Sequence, residues 1–172
     1  MASSSRRVAL GAMFGVMILA VNGFIPAPYS DFLIVFQSLF LALSYFVVGR
    51  GGATYVGVVS GVLITAVKIS FFPYDLVFSI MFGALVDLTC AAFHPTEDGR
   101  ARASRMVVNM TLSTGIVGFV AYYFTAVMTN EVPNDVGLDL TILIFGMVSG
   151  AIGGAVAARL WNRNLMGRFY NR

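Results

Sequence analysis

Residues 6–22 read Arg-Arg-Val-Ala-Leu-Gly-Ala-Met-Phe-Gly-Val-Met-Ile-Leu-Ala-Val-Asn, and this stretch decides the class of fold. Two arginines precede an apolar run from Val8 to Val21. Basic residues in front of such a helix hold that end in the cytoplasm. The run stops at Asn22 and the turn Phe24-Ile25-Pro26-Ala27-Pro28-Tyr29. Gly11 and Gly15 stand four apart, with Ala12, Val16 and Ala20 along the neighbouring row. Small residues at that spacing let another helix backbone come close inside a bilayer. Two readings stand open: Gly11, Ala12, Gly15, Val16 and Ala20 form a docking face for another subunit, or Gly11 and Gly15 pack against this chain's own helices. Paired arginines before an apolar run also fit a cleavable signal peptide. The next apolar segment follows at once with no soluble domain behind it, which favours a retained helix.

The composition extends this reading to the whole chain. Of 172 residues, 58% are hydrophobic and 11% charged, against about 25% charged in an ordinary soluble domain. Mean hydropathy is +0.84. One integral membrane domain is expected, with spans at 7–24, 32–48, 53–71, 74–93, 105–128 and 138–160. Each is near the ~20 residues that carry an α-helix across ~30 Å of hydrocarbon. Continuous apolar runs such as Leu39-Phe40-Leu41-Ala42-Leu43 exclude the alternating segments of a membrane β-barrel. Pro26, Pro28, Gly49, Gly51, Gly52, Pro73, Pro95 and Pro133 all fall between spans.

With the N-terminus inside, every arginine falls on the inner side, and Lys68 alone is basic on the outer side. This bias predicts an even number of spans, with both termini cytoplasmic in the cell membrane. The acidic residues lean outward, at Asp31, Asp75, Glu131, Asp135 and Asp139. The basic residues form no nucleic-acid patch. The loops are too short to fold alone, which leaves no room for an ATPase.

Reactive constellations are missing. Cys90 and His94 are the only cysteine and histidine, so a thiolate or histidine metal site is not expected, and no metal or cofactor is assigned. Ser60 has no histidine at its depth to activate it. The chain is therefore not read as an enzyme. The polar residues inside the apolar frame remain. Asp87 lies in the inner half of the fourth span, where insertion costs ~2.5–3.5 kcal/mol at a helix centre. It either caps or pairs at the inner surface, with Arg50 or Arg105 in reach, or serves a substrate. Lys68 either snorkels to the headgroups, pairs with Asp75, or lines an outward pocket with it. Tyr29, Phe71, Phe72, Tyr74, Phe78, Tyr122, Tyr123 and Phe124 gather in the outer half, as an interfacial belt or as the rings of a pocket for a flat organic ligand. Asn22 and Gln37 are suited to hydrogen bonds between helices. Small residues recur at four-residue steps at Ala53, Gly57, Gly61 and Thr65, and again at Gly146, Gly150, Gly154 and Ala158. At least one of these faces is expected to dock an external helix.

The chain resembles the substrate-binding S component of energy-coupling-factor (ECF) vitamin transporters. The likeness rests on Arg7-Val8-Ala9-Leu10-Gly11-Ala12-Met13-Phe14, Ile25-Pro26-Ala27-Pro28 and Val48-Gly49-Arg50-Gly51-Gly52-Ala53. It continues through Phe82-Gly83-Ala84-Leu85-Val86-Asp87-Leu88, Leu112-Ser113-Thr114-Gly115 and Gly150-Ala151-Ile152-Gly153-Gly154. The resemblance implies an all-α bundle of six transmembrane helices that binds a vitamin or similar micronutrient from outside. A separate membrane T component and ATPase subunits would supply the energy. Family members dock the T component through an Ala-x-x-x-Ala pattern on the first helix, matched here by Ala12, Val16 and Ala20, with Val16 a departure. The implied pocket residues are Tyr29, Lys68, Tyr74, Asp75, Phe78, Tyr122, Tyr123 and Asp139. A nickel or cobalt member would carry histidine near its N-terminus, and this chain has none. Flavin, thiamine, biotin and folate are not separated by these residues. The other class of function is a structural or accessory subunit of a larger membrane assembly.

Overall fold

The computed structural model describes residues 4–22, 34–68, 73–129 and 136–169, with side chains for all of these except residues 4, 125–129, 136, 138 and 139. Helices α1 (Ser4–Asn22), α2 (Ile34–Val48), α3 (Gly52–Val67) and α4 (Tyr74–Phe93) come first. A small hairpin follows, β1 (Thr96–Glu97) with β2 (Arg100–Ala101). The chain continues through α5 (Ala103–Thr129), α6 (Val136–Leu160), a π-helical turn (Trp161–Leu165) and the short α7 (Met166–Phe169). The fold is all-α apart from the two-residue strands.

Four stretches are long and apolar enough to cross a membrane: Ser5–Asn22, Tyr74–Phe93, Ala103–Phe124 and Leu140–Phe169. The chain is thus consistent with a multi-pass membrane protein. Helices α2 and α3 are apolar but have 15 and 16 residues, ~22–24 Å at ~1.5 Å per residue. The third expected span, 53–71, ends early because Lys68 leaves helical geometry at φ −112°, ψ 69°. Residues 32 and 33 of the second fall outside the described residues. The fourth span is found where expected, between Pro73 and His94-Pro95.

The distribution of side chains is that of a lipid-facing protein. Ile144, Val148, Ile152 and Val156 form an exposed stripe along α6, and Val108, Leu112, Ile116 and Phe119 another along α5. In water such stripes would drive association. The interior holds Ser38, Ser44, Ser60, Ser79, Asn109, Ser113, Thr114 and Ser149, all buried. Their hydroxyls bond mostly to carbonyls one turn back, such as Ser44 Oγ to Leu41 O at 2.6 Å and Thr114 Oγ1 to Met110 O at 2.7 Å. Between helices, Thr89 Oγ1 meets Ser113 Oγ at 2.9 Å, across α4 and α5.

Helix α2 is the centre of the bundle. It packs on α1, α3 and α6 and touches α4 and α5 as well, and it buries Ser38, Leu41, Ala42, Leu43, Ser44, Phe46 and Val47. Around it α1 lies on α3, α3 on α4, α4 on α5, and α5 on α6.

The small-residue faces make these pairings possible, and they are spent inside the bundle. A Cβ on Gly83 would run into the Ala53 carbonyl, and one on Gly57 into Ser79. On the other side, Gly150 lies against Met110 and Thr114, and Gly154 against Met106. On α3 and α6 these faces hold α3 to α4 and α5 to α6. Gly11 and Gly15 are also buried, against Tyr55 and Val59 of α3. Of the expected docking residues on α1, Val16 and Ala20 face outward and Ala12 is half-buried.

The described arginines gather at one end of the bundle, here called the arginine end. There the hairpin turns at Asp98 (φ 50°) and Gly99 (φ 77°), the two positive φ values that a tight two-residue hairpin turn needs. Asn162 clamps it from the π-helical turn: Ala101 N–H donates to Asn162 Oδ1 and Asn162 Nδ2 to Ala101 O, each at 2.8 Å. Trp161 Nε1 donates to Gly99 O at 2.9 Å. Arg102 pairs with Glu97, and Arg105 donates to His94 O at 3.1 Å.

Candidate functional site

At the opposite end, α1, α2 and α3 each contribute one polar side chain to a cluster in an apolar frame. Asn22 is the last residue of α1, Gln37 lies one turn into α2, and Lys68 follows the last residue of α3. Asn22 Nδ2 donates to Gln37 Oε1 at 3.0 Å. Lys68 Nζ donates to the Asn22 carbonyl at 2.7 Å. This contact satisfies a carbonyl that the end of α1 would leave open, and it sets a positive charge at a helix C-terminus, where the backbone dipole favours it. An ammonium has three donors, so this bond leaves donor capacity on Lys68. One turn earlier on α3, Thr65 Oγ1 is buried with no hydrogen-bond partner among the described residues.

Asp75, in the first turn of α4, is half-buried at the same end. Of the three roles open to Lys68, direct pairing with Asp75 is not the one taken: among the described residues the ion pair is Arg102–Glu97. A carboxylate at the start of α4 is favoured by the dipole of its own helix.

At the same end of the bundle, rings pack between α4 and α5. Tyr74 and Phe78, one turn apart on α4, both pack on Phe124 of α5, with centroids 4.9 and 5.7 Å apart. Tyr122 and Tyr123 are consecutive on a helix, so they cannot face the same way. Tyr122 is buried, whereas Tyr123 is 57% exposed and stacks on Phe119 at 6.5 Å. Tyr123 thus lies on the exposed face of α5, apart from Tyr122. Tyr29 lies outside the described residues, and so does the side chain of Asp139. Asn22 and Gln37, expected to bond between helices, do so, and Phe124 is the ring that Tyr74 and Phe78 share.

Asp87 stands apart from all of these, toward the arginine end. Its carboxylate accepts the backbone N–H of Thr54 and the Thr54 hydroxyl, each at 2.7 Å, and the Ala53 N–H at 3.4 Å. It caps α3, and neither Arg50 nor Arg105 pairs with it. No group of three or more His, Cys, Asp or Glu side chains gathers among the described residues.

Comparison of the chain with protein families finds no match. Comparison with curated proteins finds none either, and no solved structure matches.

Proposed function

We propose that this chain is the membrane-embedded binding subunit of an uptake system for a vitamin or similar small organic micronutrient. It crosses the membrane six times with both termini cytoplasmic, and separate T and ATPase subunits supply the energy. The observation that carries this reading is the polar cluster of Asn22, Gln37 and Lys68 at the same end of the bundle as the rings of Tyr74, Phe78 and Phe124. Convergent polar tips next to aromatic faces are the chemistry that an organic ligand site uses. The half-buried Asp75 and the unpartnered Thr65 hydroxyl add two polar groups that suit the same ligand.

The gathering of arginines at the other end supports the orientation, since basic residues stay on the cytoplasmic side. Helices α2 and α3, though short, are apolar and shielded by their neighbours. A structural or accessory subunit would pack its glycine faces against foreign helices, whereas Gly57, Gly61, Gly83, Gly150 and Gly154 pack within this bundle.

The test is a thermal-shift screen of the purified chain against vitamins and their precursors. One compound is expected to raise the unfolding midpoint in a saturable way, with no ATP hydrolysis by the chain alone. A stable, folded preparation that shifts with none of them overturns the reading.

A further inference from the structure

At the arginine end a cavity of about 100 Å³ is lined by Arg7, Phe46, Val47, Gly49, Trp161 and Phe169. Its wall is a stack of three rings: Phe46 on Trp161 at 5.3 Å and 24°, then Trp161 on Phe169 at 6.2 Å and 22°. The Arg6 guanidinium sits over Phe169, 5.7 Å from its centroid. Arg7 brings the charge into the cavity. Its Nε is buried and has no hydrogen-bond partner among the described residues. A buried donor without an acceptor is unfavourable, more so on a charged group.

The described carboxylates at this end are engaged or elsewhere. Asp87 caps α3, Glu97 pairs with Arg102, and Asp98 is at the exposed tip of the hairpin. An acceptor for Arg7 from outside the described chain fits this cavity, and a guanidinium fork matches the oxygens of a phosphate. The cavity has room for about three waters at ~30 Å³ each, enough for one phosphate group. Arg7 also sits where α1, a helix apolar enough to cross a membrane, begins its apolar run, and the next residue, Val8, is exposed. That is the level of lipid headgroups, with acyl chains alongside.

We propose that this cavity binds the phosphate of an anionic phospholipid, held by Arg7 and seated against the Phe46–Trp161–Phe169 stack. The site is independent of the nutrient reading, because it lies at the other end of the bundle. Trp161 is the chain's single tryptophan, so its emission reports on the cavity directly.

The experiment titrates the purified full chain in detergent with dihexanoyl phosphatidylglycerol, dihexanoyl phosphatidylcholine and inorganic phosphate while Trp161 emission is followed. Phosphatidylglycerol is expected to give a saturable change, with the other two weaker by about tenfold: phosphatidylcholine because its choline cation is repelled by Arg6 and Arg7, inorganic phosphate because it has no acyl chains to bury. R7Q is expected to weaken the phosphatidylglycerol response by a similar factor, R7K by less, and R163Q, outside this cavity, not at all. Equal midpoints for the two lipids overturn the proposal, as does an unchanged phosphatidylglycerol midpoint in R7Q. Inorganic phosphate matching phosphatidylglycerol assigns a free anion and overturns the lipid. If R7Q loses its helical circular dichroism, R7K decides: a midpoint equal to that of R163Q overturns the proposal, and a weaker one supports it.

Discussion

The carboxylate of Asp87 on α4 accepts the backbone N–H of Thr54 at 2.7 Å, so a side chain from one helix closes the first turn of its neighbour α3. The cause is local. The residue before α3 is Gly51, at φ 82°, and it has no side chain with which to cap. The open N–H groups of a first turn need an acceptor, and a negative charge there is also favoured by the helix dipole. Replacing Asp87 by alanine removes the acceptor from Thr54 N–H and from its hydroxyl together. The expected loss is about 1–2 kcal/mol, read as a lower unfolding midpoint of the detergent-purified protein. Asp87→Asn, which keeps one acceptor oxygen, is expected to lose less. Equal midpoints for Asp87→Ala and the unaltered chain would remove the cap from this account.

The same pair of helices depends on Gly83. A methyl group at that position meets the Ala53 carbonyl and the Thr54 Cα, which are backbone and cannot swing away. Gly83→Ala must push α4 off α3 and is expected to cost about 1–3 kcal/mol, as overpacking does. Gly118 on α5 offers the contrast, since nothing lies within 4 Å of a Cβ built there. Gly118→Ala is expected to hold or slightly raise the midpoint, because alanine is the better helix former. Both substitutions are compared by thermal unfolding, and a larger loss at Gly118 than at Gly83 would contradict the packing described.

These cases show what the sequence holds and where it stops. Helix α4 is legible to its ends because Pro73 and His94-Pro95 bracket its apolar run, and small residues at four-residue steps mark close contacts. Neither signal names the partner. Gly57 and Gly83 meet across α3 and α4 by tertiary packing, which no local spacing encodes. The central place of α2 is hidden for a similar reason: hydropathy is high whether a helix faces lipid or protein, and buried serines such as Ser38 and Ser44 occur on the neighbouring helices as well. In the candidate site, Lys68 and Tyr74 are visible as exceptions to the charge and aromatic patterns. Phe124 as the ring shared by Tyr74 and Phe78 is not, because it lies far along the chain. Asp98-Gly99 carries the signal of a hairpin turn, whereas the lock on that hairpin comes from Asn162, more than sixty residues on.

Asn162 acts like one residue of a strand toward Ala101, giving and taking a bond of 2.8 Å with its backbone. Asn162→Ala leaves both backbone groups of Ala101 unpaired. The expected effect is a loss of about 1–2 kcal/mol from two hydrogen bonds and faster amide exchange across residues 96–101. Exchange elsewhere in α4 is expected to stay unchanged. Unaltered exchange in the hairpin would mean that β1 and β2 stand without the clamp.

The remaining prediction separates the two kinds of ring on α5. Tyr74 and Phe78 of α4 share Phe124, at the same end as the cluster of Asn22, Gln37 and Lys68, whereas Tyr123 is exposed and stacks on Phe119. Lys68→Met keeps the length of the side chain and removes the charge that reaches the Asn22 carbonyl. With the compound that gives the largest shift on the unaltered chain, Lys68→Met and Phe124→Ala are each expected to weaken binding by about tenfold or more, the scale of one lost charged or stacked contact. Tyr123→Ala is expected to bind as the unaltered chain does. Calorimetric titration of the three variants decides between the pocket and the belt, because an interfacial belt would make Tyr123 matter as much as Phe124 and Lys68 not at all.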